Sequence, residues 1–380
     1  MKAAHETMGG FFEGNGMESP VYILAEWNEP HSAALKWALE KNKIPVAIAP
    51  DFSGLASRFT AQVDNAGVSF RMTTALHEEN RARSVWFRRP AEPQPSHCLD
   101  ADKQFVQRQW TYFQKNLFHL NDSIIPALWA NRPGAAIAAE SKLLQLQIAH
   151  ALDMNIPELV VTNHAADVRR IIKKYGKVIF KTFHPHSWQS ASNGNIYDIG
   201  VALLDADSEL PEESIAVCPG IFQRYIEKAF DIRVTVIGQH MFAVRILKQS
   251  GDAYLDWRQH VLGKEAVMAA VQLPSEWEAK IRALMNRLGI VIGCVDLVVD
   301  GDGNMFFLEI NQAGQFLFVE EKLPDVPLLR AMTAMLASGR HDYSLTDSLD
   351  VRFPDYKSSD AYERVMESYA DSPLIVSLEE

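Results

Sequence analysis

The chain is short of cysteine, of positive charge and of long apolar runs, and each shortage removes a class of protein. Only three cysteines occur in 380 residues, Cys98, Cys218 and Cys294, far apart and without CxxC spacing. That excludes a disulfide frame or a zinc site and fits reduced, partly buried thiols in a cytoplasmic protein. Acidic residues outnumber basic ones, giving a formal net charge of −11. Nucleic acid is therefore not an expected partner, because phosphate affinity rests on clustered Lys and Arg. No apolar run reaches bilayer-spanning length, so no membrane is expected either. Residues 1–19 hold Gly9, Gly10, Gly14 and Gly16 but no continuous apolar core. They are expected to be a flexible leader rather than a secretory signal. Repeats and low-complexity tracts are missing. His184-Pro185-His186 lacks a third ligand and reads as ordinary loop, and the glycosylation pattern Asn121-Asp122-Ser123 has no meaning in a cytoplasmic chain.

What is present is a soluble composition, 47% hydrophobic and 22% charged, in a chain long enough for two or three compact units. The run Val21–Ala25 predicts a buried strand, His31–Lys41 a helix and Pro45–Pro50 a second strand, together a small α/β unit. Ser84–Pro90 is a further strand. Phe105, Phe113, Leu117 and Leu120 recur at helical spacing, predicting a helix over 102–121 with that face inward. The turn cluster Asn131-Arg132-Pro133-Gly134 marks a boundary. Helices are predicted over 141–152, 165–174 and 275–288, and strands over 159–162, 177–182, 231–237, 241–247, 290–299 and 305–310. Gly238-Gln239-His240 and Asp300-Gly301-Asp302-Gly303-Asn304 turn the last four strands into two hairpins. Beyond Gly339 the chain reads as an appended helix or arm.

The second hairpin carries chemistry. Asp296 interrupts the apolar run Gly293–Val299, and Glu309 interrupts Phe306–Ile310. A carboxylate inside a buried strand is costly unless it is paired or metal-bound. Glu309 and Asn311, two apart, share one strand face, with Asp296 on the paired strand. Two carboxylates and an amide oxygen make a hard, oxygen-only set of the kind magnesium takes. Acidic residues at a hairpin end are commonly just solvated, so the pattern needs company.

The company is Lys142 before a helix, Lys181 at a strand end, a polar Gly-containing loop, Gln223-Arg224-Tyr225-Ile226-Glu227, Asp231-Ile232-Arg233-Val234, and the ending Asp296…Glu309-Ile310-Asn311-Gln312-Ala313-Gly314. In this order the residues resemble the ATP-grasp ligases over roughly positions 20–335. Trp86-Phe87-Arg88-Arg89-Pro90, Ala127–Pro133 and Asp256-Trp257-Arg258 resemble in particular the microviridin-type (graspetide) peptide macrocyclases, beside the ribosomal-protein-modifying glutamate ligases. The resemblance implies an α/β (α+β) ATP-grasp fold: an N-terminal α/β domain over 20–134, two ATP-grasp subdomains over 135–219 and 220–338 clasping ATP, and an extension over 339–380. It further implies ATP and Mg²⁺ as cofactors and a homodimer. Lys142 and Lys181 would contact the nucleotide phosphates, under a loop from Phe183 to Tyr197 whose Gly194 supplies backbone freedom. Gln223, Arg224, Tyr225 and Ile226 would form the adenine hinge. Glu227 or Asp231 would accept the ribose hydroxyls, Asp231 being preferred because it begins a strand. Asp296, Glu309 and Asn311 would hold the metal.

Arg233 and Arg245 fall on adjacent strands. Arg245 interrupts Phe242–Ile246, so it is expected to point at the reacting phosphoryl group; Arg258 would do the same or bind the acceptor carboxylate. The implied activity is phosphorylation of a carboxylate to an acyl phosphate, then attack by an amine or hydroxyl, leaving ADP and phosphate. The substrate would be a precursor peptide whose Asp or Glu side chains are joined to Lys, Ser or Thr. The alternatives are a ligase adding an amino acid to a small molecule or protein tail, and an inactive ATP-binding regulator. Two departures from the pattern stand out: Gln312 where many relatives have proline, and a Ser/Asn-rich phosphate loop with few glycines.

Overall fold

Strand–helix–strand patterning at the N-terminus produces a parallel sheet in the computed structural model, which describes residues 19–51, 56–74, 82–93, 98–119, 127–183, 186–189, 196–248, 254–257 and 266–370. Strands β1 (Val21–Leu24), β2 (Val46–Ala49), β5 (Ser84–Phe87) and β6 (Leu128–Ala130) pair in the order β2-β1-β5-β6. Between them lie helix α1 (Pro30–Lys41) and a two-stranded hairpin, β3 (Ala56–Asp64) and β4 (Gly67–Thr74). The hairpin is absent from the sequence-based expectation. Its signal is local: Asp64 Oδ1 accepts from Ala66 N at 2.8 Å and Gly67 N at 3.1 Å, an Asx turn. Helix α2 (Lys103–His119) buries Leu117 and half-buries Phe113 in the core of this domain as expected, but Phe105 is 66% exposed, and Leu120 lies outside the described residues. The inward face thus begins later in the helix than the spacing of Phe105 implies.

Helices α3 (Pro133–Ala139) and α4 (Lys142–His150) follow, Ser141 capping the latter through Leu144 N. A second sheet orders β11-β8-β12-β7 from β7 (Leu159–Thr162), β8 (Val178–Lys181), β11 (Ala202–Leu204) and β12 (Gly220–Arg224). Helix α5 (Ala165–Tyr175) packs Val168, Ile171 and Ile172 on its Val178 and Phe222. A separate hairpin, β9 (His186–Gln189) with β10 (Ile196–Ile199), and helix α6 (Glu212–Ala216) complete this part.

The third sheet, β15-β14-β13-β16-β17, is antiparallel throughout, built from β13 (Lys228–Ile237), β14 (His240–Lys248), β15 (Ala266–Val271), β16 (Ile292–Asp300) and β17 (Met305–Asn311). Helix α7 (Ser275–Leu288) has the predicted bounds, and its buried Trp277, Ile281, Leu284, Met285 and Leu288 follow helical spacing. They meet Ile232, Val234, Val236, Val295, Leu297 and Val299 from one sheet face. The alternate residues Asp231, Arg233, Thr235, Cys294 and Asp296 therefore occupy the other face.

The C-terminal segment is no free arm. Helices α8 (Leu317–Lys322), α9 (Leu328–Ser338), α10 (Phe353–Lys357) and α11 (Asp360–Ala370) build a core with α1 and the N-terminal sheet. Tyr369 donates to Asn28 O at 2.8 Å, and Trp37 packs on Tyr356. Gly238, at the tip of the β13–β14 hairpin with φ +57°, lies against the His341 backbone, where a side chain has no room. No helix among the described residues is long and apolar enough to cross a membrane.

Fully buried Glu320 ties this segment together, accepting from Leu329 N at 2.7 Å and Phe353 N at 3.0 Å. Burial pushes its pKa up to about 7, against the pull of those two backbone donors. A raised folded pKa favours folding below the unfolded value, and that advantage fades as pH climbs through about 7. Between about pH 5 and pH 8 the protein should thus lose on the order of 2–3 kcal/mol that a Glu320→Gln variant does not lose. Parallel denaturant titrations of both proteins at the two pH values measure that difference.

Candidate functional site

Strand register assembles the acidic pair. Asp296 on β16 stands directly opposite Glu309 on β17 and opposite Arg233 on β13. The next pair is Leu297 with Phe307, so Leu308 is the extra residue of a bulge. The bulge lets Phe307 and Ile310 both enter the core beneath the sheet while Glu309 shares the face of Asp296. Asn311, opposite Cys294, lies on that face too, and its amide donates to Glu309 Oε1 at 3.3 Å. The three expected oxygen-bearing residues are therefore neighbours.

Each carboxylate is held by a cation. Arg233 Nη1 donates to both Asp296 oxygens at 2.9 and 3.0 Å, and its Nη2 donates to Gln315 O at 2.8 Å. Arginine and aspartate are 4% and 5% exposed, so the pair sits in low dielectric, where a lone charge would be costly. The Lys142 ammonium, at the first turn of α4, donates to Glu309 Oε2. That bond explains a cation at a helix start, where the helix dipole opposes it. Gln145, one turn on, brackets β17: its Nε2 donates to Ile310 O at 2.8 Å and its Oε1 accepts from Ile310 N at 2.9 Å.

The segment Tyr225–Glu227 joins β12 of one sheet directly to β13 of the other, as a hinge requires. Val178 and Phe222 pack on α5, so Ile179, Lys181, Ile221 and Gln223 belong to the opposite face, Lys181 paired with Ile221. Gln223 is 3% exposed, and among the described residues no donor reaches its Oε1. An orphaned buried acceptor beside a hinge suits an amino donor such as that of adenine. Ile226 is buried; Arg224 and Glu227 are exposed. Asp231 is buried and pairs with Lys228 at 2.9 Å; burial raises its pKa against that ammonium. A cavity of about 710 Å³ beside the hinge is lined by Arg224–Ala229, Lys174, Tyr175, Lys177 and Asp300–Asp302. It does not include the carboxylate pair, which is the better guide to chemistry because that is where charge has been buried.

Arg245 is set apart from the acidic pair. It is opposite Ile232, which packs under α7, and it is exposed; Arg233 and Asp296 occupy the other face. A polar residue breaking an apolar strand points to whichever face its register dictates, and here that is the α7 face, at an exposed position, rather than the face of the acidic pair. Arg258 and Gly194, and most of the loop 183–197, lie outside the described residues. Trp257 is seated: it stacks on Phe318 and has the Arg233 guanidinium 5.6 Å from its ring centroid. Gln312 turns its departure from the common proline to use. Its Nε2 donates to Glu140 Oε1 at 3.2 Å, and its carbonyl accepts from the buried Asn131 amide at 3.3 Å. Sequence reasoning read Asn131 only as part of a boundary turn and missed its bracing contacts; its Oδ1 also accepts from Val291 N and Ile292 N at 2.7 and 2.9 Å.

No family model and no curated relative matches the sequence; the likeness is to solved structures. A RiPP-associated ATP-grasp ligase of Chryseobacterium gregarium, solved with ADP and a leader and core peptide, superposes with a TM-score of 0.70 at 21% identity, over 86% of this chain and 99% of that one. The chain has the ATP-grasp fold. Macrocyclase MdnC from Microcystis aeruginosa, bound with precursor peptide MdnA, gives 0.65 at 19% identity over 84% and 99%. ATP-grasp ligase PsnB, complexed with a variant minimal precursor, Mg and ADP, gives 0.62 at 18% over 85% and 99%. The expected fold is borne out over most of the chain.

Within that fold Gly314 backs the ion pair. A Cβ there would fall 2.7 Å from Cys294 Cβ and 2.9 Å from Arg233 Nη2. Gly314→Ala should therefore destabilise the protein by about 1–3 kcal/mol, read as a lower denaturation midpoint. Gln223→Leu should do the reverse of a usual core substitution: an unchanged or higher midpoint with weakened ADP binding in calorimetry.

Proposed function

We propose that this protein is an ATP- and magnesium-dependent ligase that activates a peptide carboxylate and joins it to an amine or hydroxyl. The observation carrying the reading is the in-register pair Asp296 and Glu309, set between Arg233 and Lys142 on a buried sheet face. With Asn311 it forms an all-oxygen donor set suited to Mg²⁺, which would neutralise phosphate charge. Gln223 and the hinge would hold the base, and Lys142 and Lys181 the phosphates.

On this reading the chain's own contribution is alignment and electrostatics, with no protein nucleophile. Arg233, not Arg245, is the guanidinium on the reacting face. The terminal phosphoryl group passes to a carboxylate oxygen as ADP leaves, and the amine or hydroxyl then displaces phosphate from the acyl carbon. A peptide substrate is supported by neighbours of this fold that were solved with leader, core or precursor peptides. Asp or Glu side chains linked to Lys, Ser or Thr of such a peptide are the proposed product.

Incubation with ATP, Mg²⁺ and a candidate precursor should release ADP and remove one water per ring by mass spectrometry. A mass gain on the acceptor would favour the untethered ligase, and ADP release without any mass change would sink cyclisation. Glu309→Gln should lower kcat by about a hundredfold or more, whereas Arg245→Ala should stay within about twofold of the parent. Turnover that survives Glu309→Gln would argue against the acidic pair as the reaction centre.

A further inference from the structure

Two side chains from the N-terminal sheet and its first helix, Arg88 and His31, grip the loop after β17, and Glu29, which caps that helix, ties them together. Arg88, just past β5, is 1% exposed; its Nη1 donates to Ala313 O and to Gly314 O, the latter at 3.1 Å. Its Nη2 donates to Glu29 Oε1 at 3.2 Å. Glu29 also caps α1, accepting from Ser32 N at 2.7 Å. Burial pushes the Glu29 carboxyl up, but Arg88 and His31 outweigh it and hold the group well below the usual carboxylate range. His31 Nε2 accepts from Phe316 N at 3.0 Å and Leu317 N at 3.3 Å, which puts its proton on Nδ1, facing Glu29 Oε1 at 3.2 Å. Burial and the Arg88 charge push its pKa down to about 4, so the ring stays a neutral acceptor near pH 7.

We infer that Arg88, with Glu29 and His31, is a positioning cluster that fixes the loop 313–317 and through it the Arg233–Asp296 pair. The link is one peptide unit long. Arg88 holds the carbonyls of 313 and 314, and Arg233 Nη2 donates to the carbonyl of 315. Gly314 meanwhile packs against the Arg233 guanidinium and Cys294. A loop free to move by an ångström would carry Arg233 with it and tilt Asp296 away from Glu309. Arg88 touches neither carboxylate, so it acts only through the backbone. The inference rests on reading Asp296 and Glu309 as the magnesium side of the site.

The test compares Arg88→Lys with Arg83→Lys. Lysine keeps a charge for Glu29 but lacks the fork that bridges two carbonyls. Arg83 is the control: its Nη1 also donates to a distant carbonyl, Ala337 O at 2.7 Å, but well away from the loop. Three quantities are read on the full chain: melting temperature, amide hydrogen exchange over 312–317, and the Mg²⁺ midpoint for ADP binding by calorimetry. Arg88→Lys should speed exchange in that loop and raise the Mg²⁺ midpoint about tenfold, as loss of a supporting contact does at metal sites. Arg83→Lys should lower only the melting temperature. If Arg88→Lys also moves only the melting temperature, or speeds exchange at an unchanged Mg²⁺ midpoint, the inference is overturned. Should Arg88→Lys not fold, His31→Gln is read the same way, and an unaltered midpoint there is equally decisive. If the parent protein binds no ADP with Mg²⁺, the ligase reading fails, and the loop's exchange alone decides whether Arg88 fixes it.

Discussion

The rest of the structure is arranged around the burial of Arg233 and Asp296. Each ion would lose several kcal/mol of hydration if buried alone, and the loss is offset only when the partner geometry and the spare donors are both satisfied. The two Nη1 bonds to the carboxylate meet the first condition. The second requires a carbonyl on the far side of the guanidinium, supplied by Gln315. The chain must therefore double back immediately after β17, and a residue without a side chain must sit at 314 to let it pass. Loop and ion pair are thus one construction, and neither is stable in this form without the other.

Doubling back leaves buried backbone groups that need partners, and most come from outside the sheet. Gln145 of α4 satisfies both groups of Ile310, and Asn131 bridges the start of β16 to Gln312. Arg88 and His31 take the carbonyls and amides from 313 to 317. These side chains lie more than a hundred residues from the strands they hold. The N-terminal sheet consequently docks through hydrogen bonds that fix direction as well as through apolar area, which is indifferent to it. The C-terminal helices close the same arrangement from behind, on α1.

What was legible in the sequence follows from this division. Local signals sufficed for α7, for both hairpins of the third sheet and for the acidic pair, because a charged residue inside an apolar strand is conspicuous. They failed where the answer depended on register or on distant partners. Arg245 and Arg233 look alike in sequence, each breaking an apolar strand; only the pairing with Ile232 or with Asp296 separates them. Phe105 continues a helical stripe whose covering surface begins about two turns later, at Phe113. The bulge at Leu308 and the grip of Arg88 leave no local trace, since each is defined by what lies across a gap rather than by neighbours along the chain. Likewise, a polar tail reads as an arm until its scattered aromatics, Tyr343, Tyr356 and Tyr369, find α1 and the β13–β14 hairpin.

The two ion pairs at the centre are not equivalent, and the difference bears on how such a site would work. Arg233 is enclosed, makes a two-point contact with Asp296 and is anchored again at Gln315, so exchanging its partner would strand a buried charge. Lys142 reaches Glu309 from the start of a helix, against the local dipole, with a flexible stem and a side chain 24% exposed. A divalent cation and Lys142 would compete for the same carboxylate, and the more exposed, mobile ammonium is the one that can yield. The fixed pair would then hold the frame while the loose pair changed partners, an asymmetry set by burial and by the helix on which Lys142 sits.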